Sequence, residues 1–323
     1  MTNAVRQPAA AQPAVPSPAA STPSRRGVRR GRALSDGAPK SGALRRRASR
    51  AKPMQAGPLT YLSLTVITLV SVFPLYYTIV MASHTNAEMA AGTPPMLPSG
   101  SLVSNIGKAL ELAPLNKGLI NSLIVASCVT LGTVAFCTLA GFAFAKLRFR
   151  GANLLLGLCI VTMMVPMQMG IIPLYMLMAK LGLANHLHAV ILPTLVTAFG
   201  VFFMRQYLAS AVPDELIEAG YVDGAGTFRI FRSIVLPAAR PAMSVLAMLT
   251  FLTTWNDFFW PLIALSSQNP TVQVAFGSLA TGYAPEQSII MAGTVYGTIP
   301  VLIVFALLGR QIVGGIMQGA VKG

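Results

Sequence analysis

Residues 218–237 read EAGYVDGAGTFRIFRSIVLP, a polar stretch between long apolar segments of a 323-residue chain. The stretch carries acids at Glu218 and Asp223 and arginines at Arg229 and Arg232. Unpaired charges and irregular backbone are costly in lipid, so membrane proteins do not expose such a segment to the hydrocarbon core. The stretch therefore predicts a folded loop outside the membrane, between two spans.

The composition of the whole chain agrees with a membrane location. Hydrophobic residues make up 54% of the chain and charged residues only 10%, whereas ordinary soluble domains carry about 25% charged residues. The net charge is +15, but residues 1–57 hold twelve Lys and Arg against one acid, Asp36, which leaves +4 for the rest. The net charge therefore gives no support for a nucleic-acid partner outside residues 1–57.

The first 57 residues are rich in Ala, Pro, Ser and Arg, a composition that cannot bury a core. We predict a disordered, basic, cytoplasmic tail over residues 1–57, held near anionic lipid headgroups, and a transmembrane domain over residues 58–323. A cleaved organellar transit peptide is the alternative, because it is also Arg- and Ser-rich. Five prolines between positions 8 and 23 disfavour the amphipathic helix that such a peptide needs.

Six apolar stretches follow the tail, each long enough as a helix to cross a hydrocarbon core of about 30 Å. We predict an all-α, polytopic protein with six transmembrane helices, within residues 59–82, 118–145, 151–179, 188–204, 241–265 and 287–309. Prolines inside several stretches predict kinks. The fifth stretch contains the one acid predicted within a span, Asp257.

The distribution of Lys and Arg between the connections predicts the orientation. With the N-terminus inside, 21 of the 24 basic residues lie on the cytoplasmic side, and only Lys108, Lys117 and Lys180 lie outside. Both termini and the loop at residues 205–241 are therefore predicted to be cytoplasmic.

The sequence shows no catalytic constellation. The three histidines fit no metal-binding spacing, and no G-x-x-x-x-G-K-[ST] phosphate loop occurs. The three cysteines lie in apolar runs, where small buried side chains are common. We therefore predict a chain that is not an enzyme and that binds no cofactor itself.

The loop is predicted to form two short helices around a turn. Pro213 suits a helix start, Gly224-Ala225-Gly226 breaks the first helix, Thr227 is the expected N-cap of the second, and Pro237 marks its end. Such a pair, lying along the membrane, could dock into a groove of a soluble partner. A solvated connector without a special role is the alternative.

The spacing of this loop resembles a known signature. Glu218-Ala219-Gly220, three residues, Gly224, nine residues and then Ile234-x-Leu236-Pro237 resemble the EAA motif of ABC importer permeases, except that Gly220 stands where the family usually has Ala. WNDFFWPL at residues 255–262 resembles the carbohydrate-type permeases. Residues 121–126 and the terminal GAVKG resemble the smaller permease subunit of the maltose transporter and its sugar-importing relatives.

This resemblance, which covers about residues 58–323, implies a type I importer permease in the bacterial inner membrane. The implied partners are a homologous second permease, two copies of a cytosolic ABC ATPase that binds ATP and Mg, and an extracytoplasmic solute-binding protein. The implied substrate is a sugar. The residues implied to couple to the ATPase are Glu218, Ala219, Gly220, Asp223, Gly224, Ile234, Leu236 and Pro237.

Other functions stay open at this point. An ABC permease for a polyamine, a metal or glycerol phosphate has the same general pattern. A secondary transporter without ATP is disfavoured, because the predicted spans hold no charged relay beyond Asp257. An integral membrane enzyme is disfavoured, because no span carries clustered polar groups.

Trp255, Asn256 and Asp257 are candidates either for the translocation path or for a structural role. An acid within a span is by default a functional hypothesis. We favour a structural role for Asp257, in which its carboxylate accepts hydrogen bonds from a helix end or an external loop.

Overall fold

The computed structural model describes residues 57–90, 92–281 and 286–320, with side chains up to residue 307. The predicted tail therefore lies outside the described residues apart from Gly57, as do the last three residues of the GAVKG sequence. Within the described ranges every regular element is helical. The prediction of an all-α fold is confirmed for this part of the chain.

The helices, in chain order, are α1 (Pro58–Ala82), α2 (Asn86–Ala90), α3 (Leu102–Leu112), α4 (Leu115–Lys146), α5 (Ala152–Thr162), α6 (Ile171–Lys180), α7 (Leu187–Ile191), α8 (Ala198–Ala211), α9 (Asp214–Val222), α10 (Thr227–Ile230), α11 (Leu236–Trp255), α12 (Phe259–Ala264), α13 (Val272–Leu279) and α14 (Gln287–Ala320). A 3-10 turn at Leu192–Thr194 joins α7 to α8, and a π turn at Phe231–Val235 joins α10 to α11.

In the part of the chain that the structure describes, five segments are long and apolar enough to cross a membrane: Pro58–Ala82, Leu115–Lys146, Leu187–Ala211, Thr227–Trp255 and Gln287–Leu307. The remaining predicted span, at residues 151–179, is divided into two helical segments. These segments, α5 and Met167–Lys180, meet at an angle of 91°. The break falls at Pro166, which has an extended backbone with ψ 125°. A proline pushes the residue before it out of the helical region, so the first helix ends there.

The segment that follows the loop departs from the prediction at both of its ends. Helix α11 runs through Pro237, which occupies its first turn, where a missing N–H is tolerated. The π turn directly before it takes up the change in hydrogen bonding. The prediction that Pro237 ends a helix is therefore wrong. At the far end α11 stops at Trp255, so Asp257 lies between α11 and α12 and not within the fifth span.

Helix α4 is the central element and packs against both α8 and α11. Its contact with α8 is close because glycines face the neighbouring helix. A Cβ at Gly141 would lie 2.7 Å from the Cβ of Met204, and one at Gly200 would lie 2.7 Å from the sulfur of Cys137. Small residues at helix crossings allow this approach where lipid gives no hydrophobic driving force.

One buried apolar cluster joins the loop to this bundle. It contains residues of α4, α8 and α11, and it also includes Ile217 of α9 and Ile230 of α10. The end of the bundle that carries this cluster is called the loop end below. Helix α1 differs, since it buries only Val80 and Ala82 and leaves a long apolar surface exposed.

Candidate coupling loop

Helix α9 lies at the loop end with one side buried and one side exposed. Ile217 and Gly220, three residues apart, face the protein, as the helical period requires. Glu218 and Ala219 are exposed. Asp214 and Glu215 stand in the first turn, where negative charge is favoured by the helix dipole. The sequence of α9 thus fixes which residues a partner could reach.

Gly224 makes the turn that the sequence predicts. Its φ is +76°, a left-handed conformation that costs other residues free energy. Its N–H donates to the Tyr221 carbonyl at 3.0 Å, and the N–H of Ala225 donates to the Gly220 carbonyl at 3.0 Å. This pair of bonds is a Schellman motif, which satisfies the last carbonyls of α9.

The two halves of the motif meet at Gly220. A Cβ on Gly220 would lie 3.1 Å from Cγ1 of Ile230 and 3.5 Å from Cδ1 of Ile234. A small residue at position 220 therefore lets the helix after the turn pack directly on α9. Ile234 is half-buried here, while Leu236 and Pro237 begin α11 and belong to the span.

Aromatic and hydroxyl contacts fix the second half of the loop. The ring of Phe231 lies 5.3 Å, centroid to centroid, from the ring of Phe142 on α4. The hydroxyls of Tyr221 and Thr227 are 3.2 Å apart. Thr227 is the first residue of α10 and Gly226 precedes it as the N-cap without a side-chain bond, so the predicted capping role of Thr227 is wrong.

An ion pair ties the loop to the end of α4. Nζ of Lys146 lies 2.6 Å from Oδ1 of Asp214. The hydrogen bond and the positive charge of Lys146 lower the pKa of the Asp214 carboxyl below its ordinary value. The carboxylate therefore stays ionised at neutral pH, and the contact is charge-assisted.

The outward surface of the loop combines charge with exposed apolar groups. Val222 is 88% exposed and Phe228 is 74% exposed, and they flank the turn at Gly224. Glu218, Asp223 and Arg229 are exposed beside them. Exposed apolar side chains rimmed by polar residues are typical of protein interaction sites. Val222 and Phe228 are not among the site residues predicted from the sequence, although apolar residues beside a glycine turn in a polar loop were a usable signal.

The other predicted residues lie at the opposite end of α11. Trp255 is buried and stacks on Phe251 with ring centroids 5.7 Å apart. Nδ2 of Asn256 donates to the Leu252 carbonyl at 2.8 Å. Oδ1 of Asp257 accepts a long bond of 3.4 Å from the backbone N–H of Trp260, in the first turn of α12. The structure thus places Asp257 one residue before the N-cap Phe258, with its carboxylate beside the first turn of a short helix.

The described residues form no group of three metal-ligating side chains. The loop presents a surface that combines charged and apolar side chains. Its buried side is held by the bundle, and its exposed side is free to meet another molecule. A rigid, partly apolar surface on a loop of this kind suits docking between subunits.

Comparison with known proteins gives the class. Residues 137–317 match the family described as binding-protein-dependent transport system inner membrane component. That match covers more than half of the chain, so the chain belongs to this family of membrane transport subunits.

Individual relatives agree with this assignment. The chain is 36% identical to the arabinooligosaccharides transport system permease protein AraQ of Halalkalibacterium halodurans, over 63% of the chain and 73% of the relative. It is 32% identical to the sn-glycerol-3-phosphate transport system permease protein UgpE of Salmonella typhi, over 77% of the chain and 92% of the relative.

A solved structure shares the fold. It is titled as a bacterial ABC transporter involved in the import of the acidic polysaccharide alginate. The similarity has a TM-score of 0.67 at 23% identity and covers 78% of this chain and 94% of that one. The predicted ABC importer permease fold is therefore confirmed.

Proposed function

We propose that this chain is one transmembrane subunit of an ATP-driven importer for a sugar. It forms half of the translocation path and couples through the loop at residues 213–237 to a separate ATPase that binds ATP and Mg. Its further partners are a homologous permease, a second ATPase copy and an extracytoplasmic solute-binding protein. The binding-protein-dependent family supports this set of partners in general terms.

One observation carries the coupling role. The loop exposes Glu218, Val222 and Phe228 while Ile217 and Ile230 anchor it in the bundle core. From Thr227 the chain then continues as one helical segment to Trp255. A force applied to the exposed surface is therefore passed into a membrane-spanning helix without an intervening flexible joint.

Charge reversal of Glu218 tests this role. Glu218→Lys should weaken attachment of the ATPase and abolish uptake. A charge contact that is buried in the complex costs about 2–5 kcal/mol of binding free energy when it is replaced by repulsion. Membrane abundance should stay normal, since the residue is exposed. Co-purification of the ATPase, uptake and abundance are measured together. Glu111→Lys, on an exposed acid of α3, is the matched control.

If Glu218→Lys binds the ATPase and supports uptake as the Glu111→Lys control does, the coupling role is wrong. Phe228→Ser gives an independent check on the same surface. It should weaken ATPase binding in the same assay, because an apolar side chain that is 74% exposed would become buried in the complex.

The substrate class rests on names and resemblance. A relative named for arabinooligosaccharides and the WNDFFWPL segment favour a sugar, while a relative named for glycerol 3-phosphate favours a small phosphorylated polyol. Uptake by the complete complex of labelled mono- and oligosaccharides, with labelled glycerol 3-phosphate beside them, separates these two. If glycerol 3-phosphate is the only solute that competes for uptake, a sugar is excluded as the substrate.

The orientation follows from the basic residues. Lys146 and Arg229 lie at the loop end, whereas Lys117, near the start of the same helix as Lys146, lies at the opposite end. By the positive-inside rule the loop end is cytoplasmic, and so are both termini and the basic tail. Labelling of a cysteine placed at Val222 by an impermeant maleimide, in right-side-out and inverted vesicles, tests this orientation.

A further inference from the structure

Lys146 is unusual among the lysines that the structure describes, because its side chain is only 4% exposed whereas the others are exposed. Lysines are almost never buried unless their charge is paired. The partner, Asp214, is 76% exposed, so the burial of Lys146 is not explained by an interior acid. The ammonium group instead sits among the ends of three helices.

The C-terminal ends of two of these helices, and an acid at the start of the third, favour a positive charge at this point. Lys146 occupies the last turn of α4, where the helix dipole is negative. Its Nζ lies 3.4 Å from the carbonyl oxygen of Ala209, in the last turn of α8, where carbonyls lack helical partners. Asp214 begins α9. One side chain therefore fastens the first turn of the coupling loop to two spans.

The other end of α4 is fastened just as specifically. Nδ2 of Asn121 donates to Oδ1 of Asn269 at 3.0 Å and to the Pro270 carbonyl at 2.8 Å. The hydroxyl of Ser122 accepts from the N–H of Val272 at 2.9 Å. A Cβ at Gly118 would lie 3.1 Å from the Thr271 carbonyl oxygen. The segment at residues 266–272, on the far side of the bundle, is thus bound to α4 by backbone groups.

Helix α4, which carries both attachments, is one helix of 32 residues without an internal proline, about 48 Å long at 1.5 Å per residue. An unbroken helix held at both ends moves as a unit. Helix α11 is joined to the loop by the chain itself, whereas α4 is joined to α9 through Lys146 and apolar packing. A change at Lys146 therefore alters the attachment of α4 and α8 to the loop while the chain connection through α11 stays intact.

We propose that α4 is a lever that carries displacement of the coupling loop to the segment at residues 266–272, with Lys146 as the positioning residue at the loop and Asn121 as the positioning residue at the far end. The proposal rests on the proposed function, because an ATPase must move the loop. In the reverse direction, by linkage, a protein that binds at the far end alters the ATPase through the same helix.

The test uses the complete importer in proteoliposomes and measures ATP hydrolysis with and without its solute-binding protein. Lys146→Met keeps the length and apolar stem of the side chain and leaves Asp214 solvated, so assembly should be preserved. Stimulation of ATP hydrolysis by the binding protein should fall by at least about fivefold, the lower range of allosteric coupling. Lys146→Arg should restore it, and Lys117→Met, on an exposed lysine of the same helix, should leave it unchanged.

A double variant examines both ends at once. Asn121→Leu alone should also reduce the stimulation, and Lys146→Met with Asn121→Leu should be no worse than the more severe single variant, since both interrupt one element. Independent, multiplying effects of the two substitutions would contradict a single lever.

Two results would overturn the proposal. The first is an assembled Lys146→Met complex that is stimulated as fully as the Lys117→Met control. If Lys146→Met does not assemble, Asp214→Asn takes its place, because it alters only an exposed side chain. The measured quantity is again the ratio of ATP hydrolysis with and without the binding protein. The second is a wild-type complex that binds no ATPase or ignores the binding protein, which would overturn the proposed function and the lever with it.

Discussion

The two ends of α4 are held by different forces. At the loop end, Ile217 and Ile230 are buried in an apolar cluster. An ion pair between Lys146 and Asp214 adds a charged contact at the same end. At the far end, neutral hydrogen bonds to backbone groups join the apolar packing of Leu115. Nδ2 of Asn121 donates to the Pro270 carbonyl at 2.8 Å, and the hydroxyl of Ser122 accepts from the N–H of Val272 at 2.9 Å.

This difference follows from what each end presents. Apolar packing is not directional, so the loop can be held from behind while its outward side carries charges for another subunit. Hydrogen bonds to backbone groups fix particular atoms, so the far segment is held in one register. The loop should therefore be most sensitive to lost volume, and the far segment to lost hydrogen-bond partners.

The largest effect is expected from Ile230→Ala. Ile230 is 1% exposed and packs against Gly220, and truncating a buried isoleucine costs about 2–5 kcal/mol. The loop should detach from the bundle, so limited proteolysis between residues 213 and 237 should become faster and ATPase co-purification should fall. Ile172→Ala, at a residue that is 73% exposed, is the control. Equal cleavage rates in both variants would show that packing does not hold the loop.

The sequence predicted the apolar spans and the glycine turn because both depend on local composition. It failed at Pro237, because a proline that ends an isolated helix is tolerated in the first turn of the next one. It also failed at Asp257, because apolar residues resume at Phe258 although the helix has ended at Trp255. Hydropathy reports burial in lipid and not where a backbone turns.

Contacts distant in sequence were not predictable in the same way. Lys146 and Asp214 are 68 residues apart, and nothing in either local pattern indicates the other. Asn121 and Pro270 are separated by 149 positions. Such pairs depend on how the helices pack, which a single sequence does not state.

Gly224→Ala should have the next largest effect. No atom lies within 4 Å of a Cβ at this position, so the cost comes only from the backbone φ of +76° and should be about 1–2 kcal/mol. The thermal unfolding midpoint in detergent should fall. Gly226→Ala is the matched control, because Gly226 has a φ of −68°, which alanine adopts without strain, and equally open space around its Cβ position. Equal midpoints for the two variants would contradict the turn assignment.

Asp257→Asn should have a small effect at the far end. Asparagine keeps the Oδ1 acceptor for the Trp260 N–H, so less than about 1 kcal/mol of hydrogen-bond energy should be lost. Complex yield and uptake should both fall only modestly, and Asp257→Ala should lower the yield further. A collapse of uptake with normal yield would show that the carboxylate contacts the substrate or gates the path.

The smallest effect is expected from Gly220→Ala, which restores the residue usual in the EAA motif. Alanine in place of a helical glycine favours folding by about 0.8–1 kcal/mol. The new Cβ would lie 3.1 Å from Cγ1 of Ile230, so that side chain must shift by a few tenths of an ångström, and this strain opposes the gain. The unfolding midpoint and ATPase co-purification should stay close to wild type, whereas Gly220→Leu should lower both because its larger side chain cannot fit against Ile230. A markedly lower unfolding midpoint in Gly220→Ala would mean that Ile230 cannot shift to accommodate the new Cβ. A markedly higher midpoint would mean that Ile230 shifts without strain.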